Sequence, residues 1–157
     1  MSETMQYISY EEVMEVYTKT IDKSGGGLGG VRDEAGIRSM IDFIQNDLYY
    51  PEFVDKLTYL VYSVCAGHLF SDGNKRTALT LGVYFLIKNG YPWQACTFMR
   101  QMEAIVYHVA ASNIDKDLLH RILQCFMAQQ DYDEELQMDI ARAMNHGSLG
   151  IQGEDYE

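Results

Sequence analysis

Nine consecutive residues, His68-Leu69-Phe70-Ser71-Asp72-Gly73-Asn74-Lys75-Arg76, bring together a histidine, a carboxylate, a glycine and two cations. They stand directly before an apolar run, Thr77 to Ile87. A glycine-containing loop that enters a helix offers free backbone N–H groups, and the helix dipole adds about half a positive charge there. Such a nest binds phosphate. Lys75 and Arg76 on the first turn would add charge-assisted bonds to the same oxygens. At that end of a helix they oppose the dipole, so a bound anion explains them better than helix stability does. Asp72 offers the hard oxygen that Mg²⁺ takes beside substrate phosphates. His68 supplies an imidazole, the side chain most often suited to taking a proton from a hydroxyl. Phe70, apolar between polar neighbours, is expected to plug into the core and hold the loop's shape.

Each residue also has a plainer reading. His68 follows Val64 by four positions and would extend an apolar helix stripe. Asp72 would be a loop residue, and Asn74 the cap of the next helix. Their conjunction at the mouth of a buried helix favours the chemical reading.

Helices must position this loop. Ser9 and Glu12 form a capping box, with Ile8 and Val13 as its hydrophobic staple, and Val13, Tyr17 and Ile21 continue at helical spacing. The segment Ser24–Gly30 that follows holds five of the thirteen glycines. A second helix starts near Asp33, with Ile37, Met40, Ile41 and Ile44 on one face. A third follows Pro51 along Phe53, Leu57, Leu60, Val61 and Val64, ending near His68. Thr77–Ile87 is apolar all round, which predicts a helix in the middle of a bundle, stopped by Asn89-Gly90. Met102, Ile105, Val106 and Val109 mark a fifth helix, Leu119, Ile122, Leu123 and Phe126 a sixth, and Leu136, Ile140, Ala143 and Met144 a last one. No period-two run is long enough for a sheet. The expected fold is all-α, a bundle around one central buried helix, with room for a small β-hairpin flap at the glycine segment.

The 157 residues, 47% hydrophobic, amount to one domain. A formal charge of −11 argues against nucleic acid as a partner and would suit a basic protein surface. Residues 131–157 carry eight acidic residues against Arg142 alone, so −7 of that −11 lies in them. The chain therefore divides into a domain at 1–130 and an acidic helix and tail at 131–157. Cys65, Cys96 and Cys125 make no CxxC pair and read as reduced thiols. No segment has the apolar length to cross a bilayer, and MSETMQYISY is no signal peptide, so a cytoplasmic location with no membrane partner is expected.

HLFSDGNKR resembles the signature of the Fic/Doc family, and its Asn-Lys-Arg ending that of the Doc (death-on-curing) branch. The resemblance extends to Gly29-Gly30-Val31-Arg32-Asp33, to Thr77-Ala78-Leu79 and to Asn89-Gly90-Tyr91, covering roughly residues 5–125. It implies the family's helical bundle, with ATP and Mg²⁺ as cofactors and a protein as substrate. His68 matches the general base, Asp72 the residue that holds Mg²⁺, and Gly73, Asn74 and Lys75 the anion nest, with the Asn74 side chain also on phosphate. Arg76 matches the arginine on the nucleotide phosphates. The glycine segment, at Gly26, Gly27, Leu28 and Gly29, falls where the family's flap pairs with the target peptide.

Two departures stand out. Leu69 replaces a common proline. AMP-transferring members read Gly-Asn-Gly-Arg with a second arginine three positions on, where this chain has Lys75 and Leu79. The resemblance thus implies a Doc-like toxin that moves phosphate from ATP to a Ser or Thr hydroxyl, by analogy on elongation factor Tu, blocking translation. AMP transfer is the alternative, and a non-catalytic nucleotide-binding regulatory module the third reading, which has no need of His68. Self-inhibited relatives carry Ser or Thr, three residues, then Glu-Gly or Glu-Asn. The nearest match here, Ser148 with Gln152-Gly153, lacks the carboxylate. A separate antitoxin protein is therefore expected, with the acidic tail as its rival. Oligomeric state is left open.

Overall fold

Ser9 and Glu12 exchange the two bonds of a capping box: the Ser9 N–H donates to Glu12 Oε1 at 3.0 Å and the Glu12 N–H to Ser9 Oγ at 3.2 Å. This starts the first of seven α-helices in the computed structural model, which describes residues 4–23 and 29–155. They are α1 (Tyr10–Lys23), α2 (Glu34–Phe43), α3 (Phe53–Ala66), α4 (Asn74–Lys88), α5 (Pro92–Ala110), α6 (Lys116–Met127) and α7 (Glu134–Asp155). The fold is all-α. Among the described residues there is no strand, only an isolated antiparallel bridge between Val31 and Phe70. None of their helices is long and apolar enough to cross a membrane.

The central helix is α4, packed against α3, α5 and α1. Leu81, Phe85 and Leu86 are fully buried. Gly82 lets α5 close in, since a Cβ there would lie 2.5 Å from the Phe98 ring. The all-round burial expected of this stretch fails on two counts. Ile87 is 60% exposed, because the last turn emerges at the end of the bundle. On the side facing α1, polar groups meet: Thr20 and Thr80 hydroxyls lie 2.9 Å apart, and Tyr84 donates to the Glu12 carboxylate.

Lys56 is another departure from the apolar pattern. It is 1% exposed inside the α3 stripe, with Nζ donating to the Ile44 carbonyl at 2.7 Å and to Asp47 at 2.9 Å. A buried ammonium needs such partners. It ties the end of α2 to α3. The cysteines are free, and burial pushes the Cys65 thiol up to about 12, so it stays protonated. The boundary expected at 130/131 falls in the turn before α7, whose Leu136 and Ile140 are buried and whose Asp139 pairs with Arg121 at 2.8 Å.

Glu12 ties the last turns of α4 to α1, because Lys88 Nζ donates to it at 2.6 Å as well. The Lys88 bond first, and then the Tyr84 bond, hold its carboxyl at about 2, below the ordinary 4.5. The unfolded chain therefore binds more protons than the folded one in this range. The contribution is full above pH 4.5 and is lost as pH falls toward 2. Glu12→Gln should cost about 1–3 kcal/mol at neutral pH. It should also flatten the fall of Tm between pH 5 and pH 2, which thermal scans across that range will show.

Candidate active site

The nine-residue loop begins where α3 stops. Gly67 caps the helix, donating to the Ser63 carbonyl at 2.9 Å, and His68 adopts φ 50. That left-handed backbone is one which histidine tolerates better than most side chains. It turns the chain off the helix axis, so α3 ends at Ala66, just before His68 as expected, and His68 is exposed instead of extending the Val64 stripe.

The next two residues turn inward. Leu69 and Phe70 are buried, and the Phe70 ring stacks on Tyr17 with centroids 4.0 Å apart and planes 9° from parallel. The main chain is pinned from outside the loop. Arg32 and Asp33 both donate to the Leu69 carbonyl, at 2.9 and 3.0 Å, and Ser71 donates to the Gly30 carbonyl at 2.9 Å. The strand-like pairing thus joins residues 30–33 to the loop. Of the flap positions expected from the sequence, Gly26, Gly27 and Leu28 lie outside the described residues, and Gly29 packs beside Tyr17 and Ile21.

Asn74 has a structural task that the sequence did not show. Its Oδ1 accepts the Phe70 N–H at 3.0 Å and its Nδ2 donates to the Phe70 carbonyl at 2.9 Å. One amide N–H and the amide oxygen close the loop, which leaves the second amide N–H and the backbone N–H for a phosphate. Asn74 is not the cap. Gly73 is the N-cap, at φ 77, and a Cβ there would lie 2.6 Å from Ile21 Cδ1. The left-handed backbone favours glycine there, and a side chain would also have to displace the Ile21 methyl.

The Gly73 carbonyl takes the Thr77 N–H at 2.9 Å, the first helical bond of α4. The N–H groups of Asn74, Lys75 and Arg76 precede it and have no helical carbonyl to donate to. Asp72 Oδ1 accepts the Gly73 N–H at 2.8 Å, which orients the carboxylate and leaves its second oxygen open. Among the described residues no cluster of three or more His, Cys, Asp or Glu could hold a metal. A Mg²⁺ site needs less, one or two carboxylates completed by substrate phosphates and water, and Asp72 fits that role.

Asp72, Gly73, Asn74, Lys75 and Arg76 line one wall of a cavity of about 550 Å³. That volume is in the range of small-molecule sites. His68 is not part of the lining; it is exposed on the same loop, accessible to a macromolecular hydroxyl. A second wall comes from α5, with Met99, Arg100, Glu103 and Tyr107. Sequence reading missed this wall. Its only signal is that these residues fall off the buried stripe of Met102, Ile105 and Val109, which equally describes a solvated face.

The model of the Fic/DOC family matches residues 7–86, half of the chain, and takes in the whole loop. "Protein kinase doc" of Escherichia phage P1 is 38% identical over 90 residues, which cover 55% of this chain and 70% of that protein. "Toxin Doc" of Mycolicibacterium smegmatis is 29% identical over 127 residues, 78% of this chain and 95% of that protein. The chain belongs to the Fic/DOC family.

Proposed function

We propose that this protein is a Doc-like toxin, a transferase that moves the γ-phosphate of ATP to a Ser or Thr hydroxyl of a cytoplasmic protein. By the family analogy that protein is elongation factor Tu, with a block of translation as the result. The observation that carries the reading is that exposed His68 stands on the same loop whose free helix-start N–H groups and two cations line one cavity. The phage relative's name, a protein kinase, agrees with it.

His68 takes the proton of the target hydroxyl as its oxygen attacks the γ-phosphorus and the bond to the bridging oxygen of ADP breaks. The N–H groups of Asn74–Arg76, with Lys75 and Arg76, meet the charge on the transferred group's oxygens. Asp72 would hold Mg²⁺, which when bound neutralises charge on the phosphates. Lys75 places a long cationic side chain where AMP-transferring relatives have glycine. Leu79, 8% exposed, supplies no second cation from α4. Both favour a terminal phosphate in the nest over an α-phosphate held there. Because the sequence carries no self-inhibitory glutamate motif, a separate antitoxin is the proposed inhibitor.

ATP labelled separately at the α or γ position, incubated with the protein and host lysate, tests this reading. Label on a target from the γ position, with ADP released and a phosphate-sized mass gain, is the expected result. Label from the α position with a nucleotide-sized gain would overturn phosphate transfer in favour of AMP transfer. No label from either would overturn catalysis.

A further inference from the structure

Seven of the chain's cations have partners within it. Lys19, Arg38, Lys56, Lys88, Arg121 and Arg142 lie within 4.0 Å of a carboxylate, and Lys116 lies over the Tyr50 and Tyr59 rings. Among the described residues the other five make no such contact: Lys23 and Arg32, which lie outside the cavity lining, and the three that line it. Among the described residues, Lys75, Arg76 and Arg100 have no carboxylate within ion-pair distance, although Asp72 and Glu103 border the same space. In a chain of net charge −11, three unpaired cations that line one cavity, two from the start of α4 and one from α5, call for an anion there.

The register of the helices says how long that anion is. α4 and α5 follow each other through a short turn and meet at Gly82 against Phe98, so they run antiparallel. Tyr107 therefore lies toward the start of α4, near the nest, and Arg100 farther along, on the level of Leu79. Leu79 is five positions past Asn74, about 8 Å along the helix. A single phosphate seated on the loop does not span that distance. A chain of phosphates that starts in the nest and runs along α4 does. At that level α4 offers only apolar Leu79, and the guanidinium comes from α5 instead. Arg100 is exposed, and its planar fork suits two oxygens of a phosphate chain.

We infer that Arg100 is a nucleotide-binding residue, the far clamp on the di- or triphosphate whose terminal phosphate occupies the nest. This rests on the proposed ATP-dependent transfer and deepens it. The cavity then selects nucleoside di- and triphosphates over orthophosphate by length as well as charge.

Calorimetric titration of the full chain with ATP, ADP and orthophosphate, each with Mg²⁺, tests it on wild type, Arg100→Gln and Arg100→Lys. Arg100→Gln should weaken ATP and ADP about tenfold or more, the scale of one lost hydrogen bond to a charged group. It should leave orthophosphate unchanged, and Arg100→Lys should recover part of the loss. Because Arg100 is exposed, the variants fold, as circular dichroism will check. Wild-type binding of ATP with an indifferent Arg100→Gln would overturn the role of Arg100 and leave the transfer reading standing. An equal loss for orthophosphate would overturn it too, since the side chain would then act only through its field. Failure of the wild type to bind ATP would overturn both.

Discussion

His68→Ala loses roughly 10²–10⁴-fold in transfer rate, the usual worth of a positioned general base, while folding and ATP affinity stay at wild-type levels. The expectation of intact folding comes from the local structure. His68 is exposed, and the residues that hold the loop are its neighbours: Leu69 and Phe70 in the core, Ser71 on Gly30, and Asn74 on Phe70. Removing the imidazole therefore takes away a proton acceptor and little else. Single-turnover transfer with labelled ATP, beside calorimetric ATP binding, separates the two quantities. An unchanged turnover would remove His68 from the chemistry, and a parallel loss of ATP binding would make it a ligand group instead.

Asn74→Ala should strike by a different route. The amide makes both of its bonds to one residue's main chain, at 3.0 and 2.9 Å, so its removal leaves the Phe70 N–H and carbonyl unmatched beside a buried ring. Two neutral hydrogen bonds are together worth about 1–3 kcal/mol. Activity should fall by a larger factor, about a hundredfold or more, because the fold of the loop sets where the first-turn N–H groups point. Asn74→Asp should not rescue it. A carboxylate still accepts from the Phe70 N–H but sets a negative charge against the Phe70 carbonyl. Hydrogen exchange at Phe70 is the deciding measurement: faster exchange in the alanine variant marks a loop clamp. Unchanged protection of that amide, with weaker ATP binding, would return the side chain to the phosphate.

The difference between these two residues shows what could be read without coordinates. Helix positions, the core stripes and the His68–Arg76 loop were legible because each rests on local spacing: apolar residues three and four apart, a glycine before a helix, cations on its first turn. Asn74 was not, because whether an amide faces a ligand or a neighbour's main chain depends on how the loop closes. The α5 wall was hidden for a related reason. Arg100 and Tyr107 become part of the site only through the packing of α5 on α4, and along their own helix they look like any solvated surface. Lys56 shows the limit for the core, since a lysine in an apolar stripe reads as a residue that reaches water until Ile44 and Asp47 are seen to enclose it.

The pairing of residues 30–33 with residues 69–71 also bears on the order in which the molecule is assembled. That contact closes a stretch of chain containing all of α2 and α3, so the loop takes its shape only after both have docked. Closing a long stretch costs entropy that packing has to offset. The second wall comes later still, since α5 follows the loop by a whole helix in the chain. A nascent chain from which His68 and Arg76 have already emerged therefore still lacks the α5 side of the cavity. The ribosome that makes this protein is finished with α5 before the site exists.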